Sequence, residues 1–173
     1  MHLGGGYLPD IVLCLGLFFL WLISSEAIHD ALLKALSGNS HDGVRILSHT
    51  QGFGSLGRDI AVSGAPLGAR SKRFLSGLGT HTPSETQIAA PEGAANFTGE
   101  CAVNAFACGG AQLQCEVLLD GEIVFTSPVL LNDSPAAGFN VSLSGAHSIA
   151  IRTRTAKQNI DCNHVDWGNL VFR

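Results

Sequence analysis

Over residues 44–173, apolar and polar positions alternate in short runs that stop at glycine, asparagine, aspartate or proline. The clearest run is residues 113–127, LQCEVLLDGEIVFTS. Leu113, Cys115, Val117 and Leu119 alternate with more polar neighbours, Asp120-Gly121 is a hairpin-turn dipeptide, and Ile123 to Phe125 start the return strand. The same period of two runs through Phe97, Cys101, Val103 and Ala105, through Phe139, Val141 and Leu143, and through Ile149 and Ile151. In the last run Arg152 and Arg154 sit near the strand end. Residues 44–48 (VRILS), 86–90 (TQIAA) and 170–173 (LVFR) add shorter candidates. Seven or eight short strands separated by turn residues predict an all-β fold, an antiparallel β-sandwich, over residues 44–173. About 130 residues are enough for one such core.

Residues 11–23, IVLCLGLFFLWLI, break this pattern: no charge, no proline and no polar face. The segment predicts a hydrophobic helix of roughly 20 Å, shorter than the ~30 Å hydrocarbon core of a bilayer. It fits the apolar region of a signal peptide, and Ser25 and Ala27 have the spacing of a cleavage site. The preceding residues lack Lys and Arg and carry Asp10, which keeps open an uncleaved anchor reaching back to Tyr7. Residues 1–27 are therefore expected to be a signal peptide or membrane anchor. Residues 28–43 are expected to form a short helix and the polar linker SGNSHDG. Either reading places the protein outside the cytoplasm, secreted or membrane-anchored, and the membrane is a partner only if the segment stays uncleaved.

Composition narrows the function. Only 14% of residues are charged, the formal net charge is −4, and no Lys/Arg-rich run exists, which excludes an electrostatic nucleic-acid footprint. The 21 glycines follow no fixed period and lie between apolar runs, as in a turn-rich β protein. Apart from Cys14 in the apolar run, the cysteines are Cys101, Cys108, Cys115 and Cys162. In an exported domain they allow two disulfides in three connectivities, or buried free thiols. No C-x-x-C is present, which argues against a zinc ribbon. Cys101 and Cys115 are expected to face inward from neighbouring core strands. The sequence contains three sequons, at Asn96, Asn132 and Asn140.

Catalytic signatures are missing. Residues 52–57, GFGSLG, match G-x-G-x-x-G, but the following RDIAVSGAPLGARS cannot form the helix that would aim at a pyrophosphate. Neither H-E-x-x-H nor G-x-S-x-G occurs, and no carboxylate pair stands out. The chain is not expected to be an enzyme. Compact polar clusters gather only around His81 and Glu85, and in DCNHVDW, residues 161–167.

Taken in order, Gly52-Phe53-Gly54, Arg58-Asp59, Pro66-Leu67, Arg73-Phe74, Gly77-Leu78-Gly79, His81 and Ser84-Glu85 resemble the opening half of the NPCBM family of carbohydrate-binding modules. The closing half is similar as well, through residues 97–104, the Val117 to Gly121 hairpin, residues 144–151 and DCNHVDWGNLVF. Here two residues are inserted between Asp161 and His164, and Asn104 stands where the family often has Asp. The resemblance implies a jelly-roll-like sandwich and a non-catalytic module that binds glycans, galactose-type sugars among them. It is usually an appendage of a larger exported protein or glycoside hydrolase. The other reading is a structural or adhesive cell-surface domain without sugar affinity. Candidate ligand-binding residues are His81, Glu85, Asp161, Asn163, His164, Asp166 and Trp167. Trp167 would offer a ring face and the others hydrogen bonds. The same residues could instead be a buried hydrogen-bonded scaffold. No cofactor is expected beyond a structural calcium ion, for which Asp161 and Asp166 are the candidate ligands. The 161–167 loop is expected against residues 77–85, with His164 and Asp166 near His81 and Glu85.

Overall fold

The computed structural model describes residues 44–173, and alternation is realised there strand by strand. The helix, signal or anchor and linker expected over residues 1–43 lie outside the described residues. Twelve strands follow one another: β1 (Arg45–Gln51), β2 (Gly57–Arg58), β3 (Gly68–Ala69), β4 (Lys72–Arg73), β5 (Gly77–His81), β6 (Ser84–Ala89), β7 (Asn96–Val103), β8 (Leu113–Leu119), β9 (Glu122–Thr126), β10 (Ala137–Ser142), β11 (Ile149–Thr155) and β12 (His164–Phe172). The back sheet has the order β1-β6-β11-β8-β9 and the front sheet β10-β7-β12-β5-β2, with β3-β4 as a separate hairpin. Every pairing is antiparallel. Among the described residues no helix is long and apolar enough to cross a membrane.

The apolar phase of each strand forms one core between the sheets. Leu113, Cys115 and Val117 of β8 and Ile149 and Ile151 of β11 meet Phe97, Cys101 and Val103 of β7 and Val165 and Trp167 of β12. The hairpin forms where Asp120-Gly121 predicts it, with φ of 50° and 85° at its two central residues. These are the left-handed values that a two-residue hairpin of this twist demands. Cys101 and Cys115 are both fully buried, as their phase implies. They do not lie on neighbouring strands, however. β7 belongs to the front sheet and β8 to the back, so the two thiols face each other across the core and are free. Cys108 and Cys162 form a disulfide that ties the β7–β8 loop to the segment before β12.

The alternation did not disclose residues 52–76, which add β2 to the edge of the front sheet and then cover its outer face. Ala61, Leu67, Ala69 and Phe74 form a second, smaller apolar cluster there with Ala102 of β7. Phe74 occupies the space above Gly168. A Cβ built on Gly168 would stand 2.1 Å from the Phe74 ring. Gly168→Ala should therefore cost about 2 kcal/mol through overpacking. In urea denaturation, Phe74→Leu should cost less in the Gly168→Ala background than in the wild type, because the smaller side chain relieves the clash. Equal costs in both backgrounds would show that the two residues are not coupled.

Candidate functional site

One end of the sandwich collects the polar segments. The register sets Gln51 opposite Ser84, His81 opposite His164, Val103 opposite Val165, and Thr155 opposite Leu113. The last residues of β1, β5, β7 and β11 thus share an end with the first residues of β6, β8 and β12. Asn163 braces this end. Its carbonyl accepts the Thr82 N–H (3.1 Å), its Oδ1 accepts the Gln112 N–H (3.0 Å), and its Nδ2 donates to Thr155 Oγ1 (3.0 Å) and the Gln112 carbonyl (3.2 Å). A fully buried amide with its hydrogen-bonding capacity spent in this way joins three segments and is not free to meet a ligand.

His81 and His164 meet, as the two motifs predict. Their rings pack edge to face with centroids 5.2 Å apart, and the Phe53 ring packs edge-on against His81 at 5.4 Å. His81 Nδ1 is 2.8 Å from the Thr82 carbonyl, which can only accept, so Nδ1 carries the proton. Burial, and next the nearby His81, lower the pKa of His164 below the ordinary histidine value, so its imidazole is neutral at pH 7. Gln51 supports this row: Nε2 donates to the Phe53 carbonyl at 2.7 Å, while Oε1 accepts from His49 Nε2 at 2.9 Å and the His81 N–H at 3.3 Å. On the neighbouring strand the Asn104 N–H donates to the His164 carbonyl, and Asn104 Oδ1 accepts the Phe106 N–H at 2.9 Å. Phe106 and Phe53 are 66% and 62% exposed, far more than core phenylalanines. The end of the front sheet thus sets the half-buried His164 imidazole against a buried His81, with the open Phe53 ring packed on His81 and the open Phe106 in the adjoining loop. Phe53 lies in the Gly52-Phe53-Gly54 motif, which assigns it no ligand role, and no sequence pattern singles out Phe106.

The remaining candidates go elsewhere. Trp167 is fully buried between Cys101 and Leu78 and meets the Phe139 ring at 6.1 Å, so its face is not available to a sugar. Glu85 does not join the histidines. The Thr82-Pro83 turn carries the chain to the back sheet, where Glu85 bonds Gln87 (2.9 Å) and lies 3.9 Å from Arg152. Asp161 is exposed, and its carbonyl accepts from Lys157 Nζ at 2.7 Å. Asp166 is buried, and its Oδ2 accepts from the Gly68 N–H at 2.7 Å and from Asn104 Nδ2, pinning the β3 segment to the front sheet. Asp161 and Asp166, expected together around calcium, thus lie in opposite environments. Among the described residues no group of three or more His, Cys, Asp or Glu could hold a metal ion.

Burial raises the Asp166 pKa to about 7, against the opposing hydrogen bonds from Asn104 and Gly68. A carboxyl raised in the folded state contributes stability that is full below its unfolded pKa, near 3.8, and is lost as pH rises through about 7. Asp166→Asn, which mimics the protonated form, should gain on the wild type by up to about 1.4 kcal/mol per pH unit between pH 4 and 7, then keep a constant difference. Denaturant titrations of both proteins across that range check this. A difference independent of pH would show that Asp166 stays ionised.

The comparisons with known proteins agree with this architecture. A CBM51-2 domain from Clostridium perfringens ZmpB, solved with its INT domains, superposes with a TM-score of 0.68 at 27% identity, covering 75% of this chain and 30% of that one. A CBM51 from Clostridium perfringens GH95, solved in complex with methyl-galactose, superposes with a TM-score of 0.68 at 23% identity over 75% of this chain and 94% of that one. The alpha-1,3-galactosidase B of Akkermansia muciniphila is 24% identical over 133 residues, 74% of this chain but 16% of that enzyme's length. The NPCBM/NEW2 domain model matches residues 39–173, and the chain belongs to that family of carbohydrate-binding modules.

Proposed function

We propose that the domain holds a glycan at the loop end of the front sheet, without catalysis, as a module of an exported protein. The observation that carries this reading is the edge-to-face row Phe53–His81–His164. It sets an open Phe53 ring at one end and the half-buried, neutral His164 imidazole at the other, with the buried His81 between them and the positions fixed by Gln51, Asn104 and Asn163. A sugar ring has one apolar C–H face and a rim of hydroxyls, which is the complement of such a surface. A galactose-type sugar suits it well, because the axial 4-hydroxyl leaves a continuous apolar patch on one face for the phenylalanine. The methyl-galactose complex of the GH95 module and the name of the Akkermansia relative support that choice. The Cys108–Cys162 disulfide, together with the apolar run at residues 11–23, supports an oxidising compartment outside the cytoplasm.

The burial of Trp167, Asn163 and Asp166 favours a second reading, an adhesive or structural domain whose motif residues serve the fold alone. Glycan-array binding separates the two. The wild-type chain should retain galactose-terminated glycans. Phe53→Ala should weaken retention about tenfold, or ~1.4 kcal/mol, with little change in melting temperature, because the ring is mostly exposed. His164→Ala should also weaken it. Retention unaffected by either substitution would move the site away from this row, and no retention of any glycan would leave the adhesive reading.

A further inference from the structure

At the same end of the sandwich, the outer face of the back sheet carries a row of charges that the site above does not use. The register sets Thr50 opposite Glu85, Glu85 opposite Arg152, and Arg152 opposite Glu116 across β1, β6, β11 and β8. Glu116, only 4% exposed, accepts from Arg152 Nε at 2.7 Å and from Arg154 Nη1 at 3.2 Å. Arg152 Nη1 lies 3.9 Å from Glu85, and the Arg154 side chain is 61% exposed. Glu85, Arg152 and Arg154, with Gln51, Gly52 and Pro83, line a depression of about 360 Å³. That is the lower end of the ~300–1,000 Å³ of small-ligand sites and suits one hexose-sized ring.

The chemistry of the depression selects a neutral polyol. Two carboxylates and two guanidinium groups cancel in charge, so an anion finds no net attraction there. A guanidinium has five N–H donors, and Glu116 occupies one on each arginine, which leaves donors held in set directions beside the Glu85 carboxylate. Adjacent sugar hydroxyls, each both donor and acceptor, match a fixed donor placed next to an acceptor. Prior fixing by Glu116 lowers the ordering cost of binding. The depression is also continuous with the first site: Gln51 lines it and at the same time holds the Phe53 carbonyl and the His81 N–H.

We infer that this depression is a second subsite, taking the neutral hexose joined to the one held at Phe53, so that the domain reads at least a disaccharide. The inference rests on the glycan reading above. The test is calorimetric titration of the full chain with methyl-galactoside and with α-1,3-linked digalactoside. The wild type should hold the disaccharide about tenfold more tightly. Arg154→Ala and Glu85→Gln should reduce the disaccharide to the monosaccharide's affinity and leave methyl-galactoside binding unchanged, whereas Phe53→Ala should weaken both sugars. Equal affinity of the wild type for the two sugars, or variants that weaken both alike, would overturn the subsite and leave the glycan reading standing. A wild-type chain that binds neither sugar would overturn both.

Discussion

The fold and its loop end depend on the two-sided placement of β12. This strand is hydrogen-bonded to β5 on one side and β7 on the other. Val165 and Trp167 point into the core between the sheets, and His164, Asp166 and Gly168 take the opposite phase. Each outward residue has a separate task. His164 completes the imidazole pair, Asp166 ties down Gly68 and Asn104, and Gly168 makes room for Phe74. A slip of one residue would put Trp167 outside and a carboxylate inside. The indole in the core and the Asp166 knot therefore enforce the same register from opposite faces. The cluster of polar residues beside a tryptophan is, in this light, mostly a device for seating the strand.

Covalent and hydrogen-bonded ties then carry that register into the loops. The disulfide between Cys108 and Cys162 links the loop bearing Phe106 to the residues leading into His164. Asn163 fastens the same point to Thr82 and Gln112, next to the His81 turn and the start of β8. Gln51 does the equivalent for the Phe53 loop. The open aromatic rings stand on loops, but on loops tied on several sides. A surface arranged before its ligand arrives loses less entropy on binding than one that must be assembled.

Much of the sandwich was legible because a half-buried strand leaves a period of two. β7, β8, β10 and β11 and the Asp120-Gly121 turn follow directly from it. The strands between residues 57 and 73 were not, since two-residue strands in a glycine-rich segment are too short to show a period. Periodicity also tells which face a residue takes but not which sheet it belongs to, so it cannot separate two cysteines side by side from Cys101 and Cys115 face to face across the core. The place of Glu85 is hidden in the sequence for a related reason. Four residues from His81 in sequence, it is carried to the other sheet by the Thr82-Pro83 turn. The meeting of His81 with His164 was readable from the pairing of two polar motifs, whereas the open placement of Phe53, seen only as part of Gly52-Phe53-Gly54, and of Phe106 was not. A single exposed ring in a loop has no pattern by which to be found.

The same physics explains why membership of the family is easier to read than the ligand. Buried residues such as Asp166, Asn163 and Trp167 tolerate few alternatives, because each replacement leaves a cavity or an unpaired group. They produce the ordered motifs that make the chain resemble its relatives. Exposed groups such as Phe106 and Arg154 are under no such constraint from folding, since surface changes away from caps and knots cost little stability. A ligand must be read by groups of that second kind. The motif DCNHVDW therefore reports mainly how β12 is held, and of its residues the proposed glycan site uses only the half-buried His164.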